Sequence, residues 1–141
     1  MYWREVTQPL GSLRDIRDVA SGDRVSFRAR VLRVWEVGGL RVCLVGDESA
    51  LTRVELGKAL VGEGCSYEFR HALVRAYPGR WHSASLVGDG EALLLAEDLP
   101  TLQDEAYIER TYKILTGVQL KKARREGRIE PWTHPRKRTA R

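Results

Sequence analysis

Between Arg24 and Val87 apolar and polar residues alternate along most of the chain, the signature of strands that bury one face and expose the other. Val25, Phe27, Ala29 and Val31 alternate with Arg24, Ser26, Arg28 and Arg30, after which the phase slips by one, so that Leu32 and Val34 alternate with Arg33 and Trp35. A slip inside one long strand predicts a β-bulge, and a bent strand can serve both halves of a closed sheet. Gly38-Gly39 turns the chain into a hairpin over Arg41–Gly57, in which Val42–Val45 and Thr52–Leu56 flank Gly46-Asp47-Glu48-Ser49. Those four residues favour a turn, because Gly admits positive φ while Asp and Ser bond nearby backbone.

Ser66–Tyr77 reads as a further strand with its own phase change: Tyr67 and Phe69 face the core, then Ala72, Val74 and Ala76, which places Leu73, Arg75 and Tyr77 on the opposite face. Pro78-Gly79 makes the next turn, Arg80–Val87 the fifth strand, and Ala92–Ala96 its continuation or a closing strand. Leu13, Ile16 and Val19, spaced by three, predict a short helical turn packed on the end of the sheet, with Tyr2 and Trp3 sealing that end or stacking on bases. Lys58-Ala59-Leu60-Val61 has room for a turn or two of helix at most. Five or so strands with short connections predict a mainly β fold, a small antiparallel Greek-key barrel.

Beyond the strands the pattern changes to helical spacing. Thr101-Leu102-Gln103-Asp104 resembles a capping box, and Tyr107, Thr111, Ile114 and Val118, with Ile108 and Leu115 alongside, form an apolar stripe opposite Glu105, Glu109 and Lys113. The helix over 103–118 either docks on the barrel or meets a protein partner or a second copy, and Gly117 is a candidate breaker. The expected organisation is a lead-in over 1–22, a barrel over 23–99, an amphipathic helical segment over 100–126 and a basic flexible tail over 127–141.

Composition sharpens this in two places. At 141 residues and 43% hydrophobic content the chain has material for one core and an appendage. No run is long enough to span a bilayer and Met1–Leu10 lacks the features of a secretion signal, so a cytoplasmic, nucleoid-associated protein with no membrane role is expected. The charge is uneven: ten Lys or Arg face eleven Asp or Glu between Ser21 and Leu99, whereas Pro100–Arg141 holds eleven against five. A basic excess of this kind suits a polyanionic partner.

The segments Ile16–Glu36, Leu44–Leu56 and Gly62–Ser85 resemble, in order and spacing, the OB folds of replication protein A and of the short archaeal single-stranded DNA-binding proteins. Val45-Gly46-Asp47-Glu48-Ser49 after an apolar strand is the most specific part, followed by Glu63-Gly64 and the aromatic-x-Gly turn at Tyr77-Pro78-Gly79. The resemblance implies a five-stranded OB barrel that binds single-stranded DNA, or RNA, without reading its sequence. Such barrels run the backbone across a basic groove and stack bases on aromatic rings, at about 1–3 kcal/mol per stack.

On that reading Tyr77 is the stacking residue, with Arg33, Arg53, Arg75 and Arg80 suited to phosphates or to guanidinium stacking. Trp35 either caps the groove or packs, Trp81 either stacks or fills the core, and His82 lies beside it. The tail adds phosphate contacts from Lys121, Lys122, Arg124, Arg125, Arg136, Lys137 and Arg138, interleaved with Trp132 and His134. Leu73 and Gly57 depart from the resemblance, since aromatics are expected at both places. Loss of two platforms keeps open an OB-type protein-interaction subunit of a replication, repair or RNA-processing assembly.

Enzyme chemistry has no foothold in the sequence. No phosphate-binding glycine loop or nucleophile motif is present, and Cys43, Cys65, His71 and His82 do not make a metal-ligand spacing. No metal or other cofactor is expected, and the two cysteines are expected as free buried thiols.

Overall fold

The computed structural model of the protein describes residues 7–77 and 81–125. Seven strands and one α-helix follow in the order β1 (Thr7–Pro9), a 3-10 turn (Leu13–Asp18), β2 (Arg24–Val37), β3 (Leu40–Gly46), β4 (Leu51–Glu55), β5 (Ser66–Tyr77), β6 (Trp81–Ser85), β7 (Glu91–Leu94) and α1 (Glu105–Arg125). Antiparallel pairings run from β2 to β3 and from β3 to β4; β4 then pairs in parallel with β6, β6 antiparallel with β5, and β5 returns antiparallel to β2. These five strands close a Greek-key barrel of OB type. β1 extends it by pairing in parallel with β2, and β7 pairs with β5 as an edge whose Leu93 and Leu94 remain exposed.

The alternating apolar residues fill the barrel. Val25, Phe27, Ala29 and Val31 of β2 meet Val45, Val54, Phe69 and Val74 from the other strands, and Leu13 and Ile16 of the 3-10 turn close one end. Phe27 and Phe69 stack with centroids 5.2 Å apart, and full burial of a side chain such as Phe69 contributes about 1.5–3 kcal/mol.

Both phase changes are bulges. Val31 faces Val45 and Arg33 faces Leu44, so Leu32 is the extra residue. This corrects the expected parity, in which Leu32 and Val34 share a face: Val34 packs on the core, whereas Leu32 packs outside the barrel with Leu44 and Ile108. In β5 the ladder to β2 passes from Phe69 to Ala72 while β2 passes from Phe27 to Val25, and His71 takes up the extra residue at φ 56°. That left-handed backbone costs on the order of 1 kcal/mol for a residue with a Cβ, and the Arg24 guanidinium donates to the His71 carbonyl at 2.7 Å to hold it.

Three local expectations change. The segment after β4 forms no helix; Ala59 N–H donates to Leu56 O at 2.9 Å, Arg41 Nη1 donates to Ala59 O at 2.8 Å, and Leu60 is 81% exposed. The cap of α1 is Asp104 instead of Thr101, its carboxylate accepting Tyr107 N–H at 3.0 Å. Thr101 instead stands against Gly46, where a Cβ would clash with its hydroxyl. Finally, α1 runs through Gly117 to Arg125. One glycine costs roughly 1 kcal/mol in a helix, too little to stop one that goes on through the good helix formers Gln119, Leu120, Lys121 and Lys122 and ends in basic residues that complement its dipole.

Candidate nucleic-acid interface

Closure of the barrel brings separated arginines onto one line. Arg33 pairs with Leu44, Leu44 with Arg53, Arg53 with Ser83 and Ser83 with Arg75, so a single cross-strand row runs over β2, β3, β4, β6 and β5. Directly paired residues share a face, and this row faces away from the core formed by Val54, Val74 and Ala84. Arg53 and Arg75 stand two strands apart, roughly 10 Å at the usual strand spacing.

Helix α1 crosses this row at Leu44. Ile108 covers Leu32 and Leu44, with Trp35, Leu51 and Tyr107 packed around them. Docking on the barrel is therefore how the helix buries its stripe, but the stripe is rotated from the expected one: Ile108, Thr111 and Leu115 are buried, whereas Ile114 is 54% exposed and Tyr112 44%. Trp35 is part of this contact, its ring 5.8 Å from that of Tyr112. Arg33 donates to Leu32 O at 2.8 Å and approaches Glu105 at 3.4 Å, an exposed ion pair of small energetic weight.

Beside the helix the row opens into a groove of about 460 Å³. Arg14 and Arg17 from the 3-10 turn, Arg53 from β4 and Arg110 from α1 line it together with His82, and no carboxylate is among the described lining residues. Ser49, Thr52, Tyr107 and Thr111 add hydroxyl groups, while Leu51 and Ile114 supply apolar wall. Burial draws the Arg53 guanidinium below its ordinary pKa, opposed by Tyr107 and Glu55. An arginine starts so far above neutrality that it stays charged. Arg110 lies over the Tyr107 ring at 5.7 Å, within cation–π range.

The hairpin turn fixes one wall of the groove. Asp47 Oδ1 accepts Ser49 N–H at 2.7 Å, the Ser49 hydroxyl at 2.6 Å and Ala50 N–H at 3.1 Å. Its Oδ2 accepts Leu13 N–H at 2.8 Å, and Arg14 N–H donates to Ser49 Oγ at 3.1 Å. The marker turn of the sequence thus ties the 3-10 turn, and with it Arg14 and Arg17, to the barrel.

The expected site residues divide among several places. Arg53 and His82 share the groove. Arg33 and Trp35 lie at the helix contact, and Arg75 is exposed at the far end of the row, beside a separate cleft with Ser21, Gly22 and Leu73. Tyr77 and Trp81 pair with each other at the β5–β6 tip, but their side chains lie outside the described residues, as does Arg80. Lys121 and Arg125 are exposed near the end of α1. The side chains of Val118, Lys122 and Arg124, and all of Arg136, Lys137 and Arg138, lie outside the described residues.

Arg14, Arg17, Tyr107 and Arg110 are groove residues that sequence reasoning misses. Each pair carries a signal in its spacing of three, which puts Arg14 with Arg17 on one side of a 3-10 turn and Tyr107 with Arg110 on one side of an α-helix. Among the described residues there is no cluster of three or more potential metal ligands, and no helix long and apolar enough to cross a membrane.

No family model matches the sequence, and no curated protein matches it either. Among solved structures the chain is similar to an OB domain from Methanosarcina mazei, at 22% identity over 69% of this chain and 92% of that one, with a TM-score of 0.57. Fainter likenesses, which carry no weight here, include fission yeast Pot1 with single-stranded DNA (13% identity, 67% of this chain and 43% of that one, TM-score 0.46) and an OB domain from Thermoplasma acidophilum (15%, 70% and 95%, 0.44). The Methanosarcina likeness and the closed five-strand topology agree: this chain has the OB fold, with a C-terminal helix laid across the outer face of its barrel.

Proposed function

We propose that the protein binds single-stranded nucleic acid without reading its sequence, in the groove between α1, the 3-10 turn and the start of β4. The observation that carries this reading is the convergence of Arg14, Arg17, Arg53 and Arg110, from three separate elements, on a groove with no carboxylate among its described lining residues. Guanidinium groups gathered from unrelated elements make a positive field along the groove, and a phosphate backbone presents negative charge to it at regular intervals. The apolar wall and the hydroxyls suit a sugar or base edge better than a bare ion. Arg75 extends the basic row beyond the groove, and Lys121 and Arg125 add charge near the end of α1. DNA is the expected strand chemistry and RNA the alternative, with replication or repair as the setting.

Titration of labelled oligo-dT, oligo-rU and a duplex of equal length tests this. Single strands are expected to bind with micromolar or tighter affinity and the duplex more weakly; equal binding of all three would remove the single-strand reading. A second reading, a protein-interaction subunit, draws on one observation: Tyr112 and Ile114 leave apolar surface exposed on the helix flank.

A further inference from the structure

We infer that Tyr107, carried on helix α1, is the base-stacking platform of the groove. The inference rests on the nucleic-acid reading of that groove. Tyr107 lines the groove among the four arginines, and it is packed against the Leu32–Leu44–Ile108 cluster, which holds the ring. Its backbone is fixed at the first turn of the helix, where Tyr107 N–H donates to the Asp104 cap and Tyr107 O accepts the Thr111 hydroxyl at 2.8 Å.

A ring held in place stacks at lower entropic cost than a free one, because its rotamer is already chosen. Arg110 stands 5.7 Å from the ring centroid, so a base stacked on Tyr107 also meets a guanidinium, which adds cation–π attraction and a charge for the adjoining phosphate. Trp35 and Tyr112 are paired with each other at the helix contact. Among the described Phe, Trp and Tyr side chains, Tyr107 alone lines the groove. The consequence is a division of labour: the barrel supplies charge through Arg53 and Arg75, and the helix supplies the stacking surface. Sequence tolerance follows, since every base has a π face and no base-edge reader is required.

The test compares normal and abasic oligonucleotides of equal phosphate count, binding to the full chain and to Tyr107→Leu and Tyr107→Phe, with circular dichroism as a check on folding. Tyr107→Leu keeps apolar packing and is expected to weaken oligo-dT binding roughly 5- to 150-fold, the equivalent of one stack. It should leave abasic binding within twofold, and Tyr107→Phe should bind both like the parent. Equal losses on normal and abasic strands in a folded Tyr107→Leu, or no loss on either, would overturn the assignment. Absence of oligonucleotide binding by the parent chain would instead remove the nucleic-acid reading on which the assignment rests.

Discussion

Leu13 N–H and Asp47 Oδ2 meet at 2.8 Å across 34 residues of chain, and this bond joins the element that plugs the barrel to the turn that marks the fold. Burial alone would push the Asp47 carboxyl up, but hydrogen bonds from the Ser49 hydroxyl and from the N–H groups of Leu13, Ser49 and Ala50 outweigh it and hold the pKa below the usual carboxylate range. Asp47→Ala leaves those donors without their acceptor. It should cost about 1–3 kcal/mol in a urea unfolding curve, and it should weaken single-strand binding by releasing Arg14 and Arg17.

The same carboxylate sets a pH dependence. Because its folded-state pKa is depressed, its contribution is fully present above the unfolded value of about 4 and is lost as pH falls through the folded value. The stability difference between the parent chain and Asp47→Asn should therefore be constant from pH 7 to about pH 5 and shrink below about pH 4. A difference that grows on acidification would contradict the hydrogen-bond account.

Ile108 is the keystone of the helix contact, buried over Leu32 and Leu44. Ile108→Ala removes that cover and should cost about 2–4 kcal/mol of docking. The barrel has its own core, so the loss should be local: faster amide exchange over 105–125 with slow exchange retained in β2, β3 and β5. Uniform acceleration through the barrel would mean that helix and barrel unfold as one unit.

The two thiols should differ. Burial pushes the Cys43 thiol up to about 12 against the opposing influence of Arg41 and its own backbone hydrogen bond, and both cysteines are free. At pH 8 iodoacetamide should label half-buried Cys65 first and leave Cys43 unmodified until the chain is unfolded.

The five barrel strands and both phase slips were legible in the sequence because apolar alternation is a direct consequence of burying one face of a sheet, whereas the short β1 (Thr7–Pro9) carries no such alternation. The direction of the Leu32 side chain was not, since alternation cannot tell which of two successive residues a bulge leaves unpaired. The helix was legible as an element, but its cap and buried stripe depended on where it lands: with Ile108 over Leu44, Ile114 turns outward. The candidate site was half visible. Arg53 and Arg75 were identifiable by parity, but their alignment with Arg33 needs the cross-strand register. The groove itself is made by three elements distant in sequence, and nothing local to Arg14, Arg17 or Arg110 announces their meeting.

The groove is tested most directly by the salt dependence of oligo-dT binding to the parent chain and to Arg53→Ala/Arg110→Ala. Each phosphate contact on a single strand contributes a slope of about −0.7 in log K against log salt, so the double variant should bind more weakly at low salt with a slope flatter by roughly 1.4. An unchanged slope in a folded double variant would show that the strand lies elsewhere on the protein.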